Sequence, residues 1–434
     1  MKKLIVNKIF LFRKFHQKGF FHLLSANVLI QVVAFASQLF VAGILAPDDL
    51  GRIKIIQTYL SIFSIVAGMG FNSSTLKLCS ENRSPAEQNS LFKSALYFTI
   101  LSTLSIYFIV LILNYFQIFS KDKLIIILIP LGLFPIISNS IFLVFISYFQ
   151  ATKKIIELSN LTIVNKLIAI IAIIILTYYF GIKGYYIAYN LSFIIMLVVC
   201  YKTFQSVIFE NFSLKINIAE FNIHWHYAKS SMFANAISVI SAYIDILLIG
   251  FFVPDMEQIG FYSFALTLIV VIRLIPSTVQ QIATPYFSSL SHKKEEFIIV
   301  FKRYNRILYW VVFISLISVW IFVPFMTHYI FKGKYDESMQ YFFILSLGWS
   351  IRQLTQLQSG AIFGLGKMHY IVYSSLISLT LNILVFSLAI FYFGLMGSAF
   401  ASIFSGIITL LTSYIYFKKA LNEIDLRQNF NLLD

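Results

Sequence analysis

Residues 167–200 read LIAIIAIIILTYYFGIKGYYIAYNLSFIIMLVVC. Two apolar runs flank Gly181-Ile182-Lys183-Gly184, the segment that holds the stretch's one charge. With their neighbours these runs extend over 156–179 and 184–201, each near the ~20 residues that carry a helix across a bilayer. Neither run alternates polar with apolar residues, which excludes a membrane β-barrel. The glycines at the joint mark a turn between two membrane helices.

The same pattern fills the chain. It has 434 residues, 59% hydrophobic and 12% charged, with a mean hydropathy of +0.84. A soluble domain carries about 25% charged residues, so a water-soluble enzyme is excluded. Hydropathy predicts an all-α integral membrane protein with about twelve transmembrane helices. They form an N-lobe, 23–201, and a C-lobe, 228–417, joined by a loop at 202–227. A basic segment, 1–22, precedes them and a tail, 418–434, follows. Lysines and arginines interrupt the basic segment too often for a signal peptide, and it is expected to lie on the anionic inner leaflet.

Net charge is +15. With both termini cytoplasmic, the inner segments hold 22 of the 33 Lys and Arg, and the outer loops hold 7, Arg52 and Lys54 among them. That bias predicts cytoplasmic N- and C-termini and explains the basicity without a nucleic-acid partner. Cys79 and Cys200 both fall on the cytoplasmic side, where no disulfide is expected. His22, His224 and His226 lie near span ends and read as interfacial.

Landmarks recur between the halves. Pro47-Asp48 and Gly51 match Pro254-Asp255 and Gly260 at offsets of 207 and 209. Tyr179-Phe180-Gly181-Ile182-Lys183-Gly184 matches Tyr392-Phe393-Gly394-Leu395-Met396-Gly397 at 213, and Lys154 falls on Lys367 at the same offset. Repeats with an even number of spans are parallel, about an axis along the membrane normal, and in transporters the substrate site lies between them.

Ionisable residues inside spans are costly and mark aqueous cavities or ion pairs. Five stand out: Lys166, Lys229, Asp245, Arg273 and Arg352. Polar residues line up with them at helical spacing. Span one carries Asn27, Gln31 and Gln38, and span two Gln57, Ser61, Ser64 and Asn72. Span seven carries Ser231, Asn235, Ser238, Ser241 and Asp245. Span eight carries Arg273, Ser277 and Gln281, with Pro276 loosening the backbone, and span ten Arg352, Gln356 and Ser359. These stripes predict one shared, net-positive cavity. Arginine's planar fork suits phosphate, and amides suit sugar hydroxyls. The substrate-binding candidates are Arg273, Arg352, Lys166, Asn27, Gln31, Gln57, Asn235, Gln281 and Gln356. Asp245 is the candidate for ion coupling, or for an ion pair with Arg273 or Lys229. Lys166 and Lys229 have the alternative of snorkelling to the headgroups.

No nucleotide, zinc-protease or serine-hydrolase motif appears. Residues 361–368 lack the first glycine and the Ser/Thr of a P-loop. No metal or cofactor is expected. Asp48 and Asp49 resemble the outer-loop carboxylates of membrane glycosyltransferases, but the outer loops are short. The pair reads better as a tight turn in which one aspartate caps span two.

The run Leu45-Ala46-Pro47-Asp48-Asp49-Leu50-Gly51, with Gly68-Met69-Gly70-Phe71 after it, resembles the opening of the polysaccharide transporter family. That family holds the O-antigen and capsule repeat-unit flippases of the multidrug/oligosaccharidyl-lipid/polysaccharide exporter superfamily. Tyr243-Ile244-Asp245-Ile246-Leu247-Leu248-Ile249-Gly250 and Gly260-Phe261-Tyr262-Ser263 are similar to the start of its second lobe. The resemblance implies a V-shaped pair of six-helix lobes and alternating access. The implied substrate is an undecaprenyl-pyrophosphate-linked oligosaccharide, carried across the bacterial inner membrane. Polysaccharide polymerase machinery is a candidate partner beside the glycan and the bilayer. The alternatives are a membrane glycan polymerase or glycosyltransferase, and a multidrug exporter of the same superfamily. Against the last, spans one and two carry no acidic residue between 23–45 and 52–75.

Overall fold

The computed structural model describes residues 20–81, 83–209 and 218–430, and among them every regular element is a helix. The first half holds α1 (Phe20–Ile44), α2 (Pro47–Gly68), α3 (Phe71–Ser80), α4 (Pro85–Tyr115), α5 (Lys123–Leu133), α6 (Pro135–Ala151) and α7 (Ile155–Phe209). The second holds α8 (Ile218–Phe252), α9 (Met256–Ser289), α10 (Lys294–Phe331), α11 (Ser338–Gln353), α12 (Gln356–Gly364) and α13 (Met368–Phe430). Among the described residues seven helices are long and apolar enough to cross a membrane, or eight with the bent α9. Large apolar side chains such as Phe108, Phe251, Phe322 and Phe391 stand outward. A soluble protein would not expose so much apolar surface; lipid covers it in a multi-pass membrane protein.

Neither α7 nor α13 is one straight rod. Each breaks at a glycine, Gly181 and Gly394, and both glycines take φ 58° and ψ −141°. Three residues on, a Cβ added at Gly184 would stand 1.8 Å from the Leu176 carbonyl oxygen, and one at Gly397 1.9 Å from that of Ala389. Along an unbroken helix eight residues span about 12 Å, so the chain doubles back at both corners. These are the two positions where glycine is required, once for φ and once for the close approach.

The halves meet at two ends. At one, α2 crosses α9. A Cβ on Gly51 would stand 2.4 Å from the Met256 carbonyl oxygen, and one on Gly260 1.8 Å from that of Pro47. The contact is reciprocal, since Pro47 and Met256 lie 209 positions apart, as do Gly51 and Gly260. Beside it the α10–α11 turn docks on the last carbonyls of α1. Lys334 Nζ donates to Ala42 at 3.1 Å, to Gly43 at 3.3 Å and to Leu45, and Tyr335 Oη donates to Ala42 at 2.8 Å. Burial pushes the Lys334 pKa below the ordinary lysine value.

At the other end α3 and α4 hold the start of α8. His224, expected at an interface, is fully buried. Its Nε2 donates to the Leu91 carbonyl at 3.0 Å, and its Nδ1 lies 2.8 Å from Ser74 Oγ. Ser231 Oγ donates to Ser73 Oγ at 2.7 Å.

One expectation needs correcting, and helix extends into two segments named as a loop and a tail. The 202–227 segment is helical on both sides, through Phe209 and again from Ile218, and the 418–434 tail is helical to Phe430. Hydropathy falls where a helix leaves lipid, not where it ends. Residues 1–19 of the basic segment lie outside the described residues. Finally, no aspartate caps α2. Its N-cap is Ala46, with Pro47 in the first turn and no side-chain cap. Asp48 and Asp49 are helical and bind Arg52 at 2.5 and 3.0 Å, with Asp122 at 3.2 Å on the same guanidinium. Acidic residues stabilise a helix N-terminus through its dipole even without capping it.

Replacing Gly260 with Ala forces α2 and α9 apart. Overpacking of this kind costs about 1–3 kcal/mol, so G260A is expected to melt several degrees lower in detergent. Gly43→Ala, whose Cβ would lie 4.0 Å from Phe331, is the control and leaves the melting temperature unchanged.

Candidate functional site

Between the halves lies a polar cavity in two connected compartments that share Ala34, Gln38 and Lys166. One, about 470 Å³, brings together Gln31 of α1, Lys166 of α7, Arg273 and Ser277 of α9, and Gln353 and Gln356 of α11 and α12. Among the described residues no carboxylate lines it. The other, about 320 Å³, lies toward the Pro47 end and is lined by Lys54, Gln57, Lys166, Tyr185, Tyr189 and Thr267 among others. Arg273 is 17 residues into α9, about 25 Å along the helix. It sits where α9 bends by 42°, between Met256–Val270 and Ile275–Ser289. Pro276 lacks the N–H that would bond to the Ile272 carbonyl, which accounts for the bend.

A third pocket, within the second half, is lined by Ser241, Asp245, Trp349, Arg352, Phe386 and Ser402 among others. Arg352 donates to the Ser241 carbonyl at 3.3 Å. Asp245 is 7% exposed and accepts from the Ile246 N–H at 2.8 Å. The charges acting on it most are Lys54, from the other half, and Arg352. The two arginines converge on one ring: the guanidinium carbons of Arg273 and Arg352 lie 5.0 and 5.2 Å from the Trp349 centroid. The guanidiniums are thus at most about 10 Å apart. Stacking of this kind contributes about 0.5–2 kcal/mol each.

The structure therefore gathers Arg273, Lys166, Gln31 and Gln356 on one cavity wall and Gln57 on the adjoining one. Lys166 is exposed to this space. Gln356 Nε2 donates to Gln353 Oε1 at 3.3 Å, and Gln57 Nε2 to Tyr185 Oη at 2.5 Å. Arg352 lines the second-half pocket instead, joined to Arg273 through Trp349. Asn235 donates to Ser231 at 3.3 Å and Gln281 is exposed; neither lines these three pockets. The Asn27 side chain lies outside the described residues. Among the cations, Lys54 and Arg352 act on Asp245 most, and Arg352 lines the same pocket.

Sequence reading missed Lys54 and Trp349. Lys54 was counted as an outer-loop charge because Pro47-Asp48-Asp49 looks like a turn. Helix α2 starts at Pro47, however, and Lys54 continues the stripe of Gln57, Ser61 and Ser64. Trp349 gives no signal beyond its i,i+3 spacing from Arg352. Asp48 and Asp49 share one arginine in ion pairs, an arrangement unlike a free catalytic base or metal ligand. Among the described residues no group of three His, Cys, Asp or Glu is placed to hold a metal ion.

Removing the charge of Asp245 leaves Lys54 and Arg352 without their counter-charge. A buried charge left without an opposite charge nearby is costly. D245N is expected to melt well below the parent, and adding Lys54→Gln should restore part of the loss. A strictly additive double mutant in that thermal-shift cycle would show that the two side chains do not interact.

Residues 40–340 match the family model described as polysaccharide biosynthesis protein. Among curated proteins no match to the sequence is found. Several solved structures share the fold. One is the lipid II flippase MurJ in an inward closed conformation, at 15% identity over 94% of this chain and 92% of that one, with a TM-score of 0.72. Another is an inward-facing multidrug resistance MATE family transporter of the MOP superfamily, at 11% identity over 92% and 96%, TM-score 0.67. A third is a MOP superfamily transporter from Pyrococcus furiosus whose binding pocket is described as of reverse polarity, at 12% identity over 93% and 94%, TM-score 0.64. The chain belongs to the polysaccharide biosynthesis protein family, as a multi-pass, all-α membrane protein with the transporter fold that MurJ and the MATE exporters share.

Proposed function

We propose that this protein is a flippase for an undecaprenyl-pyrophosphate-linked oligosaccharide repeat unit, an O-antigen or other surface polysaccharide. It carries the unit from the cytoplasmic to the outer leaflet of a bacterial inner membrane by alternating access. The chain crosses that membrane twelve times with both termini cytoplasmic. The corners at Gly181 and Gly394 each separate two crossings, and residues 23–201 and 228–417 form the two lobes.

The observation that carries this reading is the 470 Å³ compartment: Arg273 and Lys166 face it among amides, with no carboxylate among the described residues of its lining. A cation exporter needs the opposite polarity. A diphosphate is suited to such a space, because a guanidinium donates two parallel hydrogen bonds to it. Family membership and the fold shared with a lipid II flippase support a lipid-linked glycan as cargo. In this scheme the pyrophosphate docks on Arg273 and Lys166, and Gln31 and Gln356 bind polar groups beside it. The prenyl tail stays in lipid. Arg352 holds Trp349 against Arg273, and Asp245 balances Lys54 and Arg352. Asp245 is the group placed to take up a cation or proton when the lobes part.

A leaflet-sidedness assay in proteoliposomes, with a short lipid-linked oligosaccharide, tests the scheme. A charge-assisted hydrogen bond contributes about 1.5–3 kcal/mol, so Arg273→Ala should slow translocation by about ten- to a hundredfold. Lys166→Ala should slow it less. Parental rates in both variants would remove these residues from the substrate path. Asp48→Asn with Asp49→Asn should keep most of the transport; abolished turnover would favour the glycosyltransferase alternative.

A further inference from the structure

We propose that the cavity is divided along its length, and that its Pro47-end compartment is a sugar-ring subsite with Tyr185 and Tyr189 as its platform. The assignment rests on the reading that a glycan attached to a lipid pyrophosphate enters the cavity. It adds where the glycan goes and what recognises it.

Tyr185 and Tyr189 stand four residues apart on the arm of α7 that follows the Gly181 corner. Side chains at i and i+4 share a helix face. Their rings are parallel to within 4°, with centroids 6.5 Å apart, so the two aromatic faces have the same orientation. Both line the 320 Å³ compartment. Tyr186 meets Tyr185 edge-on at 5.3 Å, and Phe193 meets Tyr189 edge-on at 5.3 Å, which holds each ring in place. The Gln57 amide donates to Tyr185 Oη at 2.5 Å and fixes that ring from the α2 side.

The surrounding chemistry selects the ligand class. A pyranose has an apolar C–H face and a rim of hydroxyls. Flat aromatic walls pack against the first, and small polar side chains such as Ser37, Gln38, Ser263 and Thr267 bond to the second. An acyl chain would leave the Ser263 hydroxyl, which has no hydrogen-bond partner among the described residues, unpaired at a cost. A diphosphate gains nothing from a tyrosine face. Among the described residues, Lys54 lines this compartment alone and feels the charge of Asp245, whereas no carboxylate lines the neighbouring compartment of Arg273. The volume is at the low end of the range for small-ligand pockets, room for roughly one or two sugar rings. Charge and shape thus order the cargo, with phosphates at Arg273 and Lys166 and the first sugars toward Pro47.

The test is equilibrium binding in nanodiscs of two probes: undecaprenyl pyrophosphate bearing one hexose or N-acetylhexosamine, and the same lipid without sugar. The parent should bind the better of the sugar-bearing lipids more tightly. Tyr189→Leu and Tyr185→Leu should weaken that lipid by about tenfold or more while leaving the sugar-free lipid unchanged, which also reports a folded protein. Tyr189→Phe keeps the ring and should bind like the parent. Arg273→Gln should weaken both lipids alike. The subsite is refuted if the leucine variants weaken both lipids equally or neither, or if the parent does not distinguish them. If Arg273→Gln spares both lipids while the tyrosine variants still lose the sugar preference, the pyrophosphate assignment fails and the sugar platform stands.

Discussion

A positive charge inside a helical bundle in lipid persists only with water or a counter-charge beside it. Four such charges lie in the centre of this molecule: Lys54, Lys166, Arg273 and Arg352. Among the described residues one carboxylate there, Asp245, feels two of them, Lys54 and Arg352. Lys166 and Arg273 are therefore hydrated, and the cavity between the halves is the space that hydrates them. The stripe of amides and hydroxyls on α1, the bend of α9 and the Trp349 stack follow from the same requirement. Each provides a polar or polarisable neighbour for a group that lipid would reject.

The apolar exterior and the cationic interior place different demands on the same helices, and small residues reconcile them. At the crossing of α2 and α9 the backbones approach until no side chain fits between them, because the hydrophobic effect gives no reason for two apolar helices to associate in lipid. Dispersion and close backbone contact take over that role. Gly51 and Gly260 permit it from both sides, and the reciprocity of the contact matches the recurrence of sequence landmarks. The paired corners at Gly181 and Gly394, identical in φ and ψ, are a second local instance of the same correspondence.

The sequence made the class legible because hydropathy is a property of single residues summed over a span. It made Arg273, Lys166, Gln31 and Gln356 legible as a group because helical periodicity puts a stripe on one face, and a polar stripe in lipid has only other stripes to meet. Three things were hidden. Lys54 was hidden because Pro47-Asp48-Asp49 reads as a turn although α2 has already begun. The separation of Arg352 from the main cavity was hidden because periodicity gives the face of a helix but not its partner. The action of Lys54 on Asp245 was hidden because Lys54 comes from α2, nearly 200 positions earlier, and no local spacing encodes that.

The seal formed by Lys334 and Tyr335 has a consequence for opening. The last carbonyls of α1 take their donors from the opposite half, so when the two halves part, those oxygens are left bare. Water must reach them before separation can proceed, and wetting of that end therefore precedes its widening.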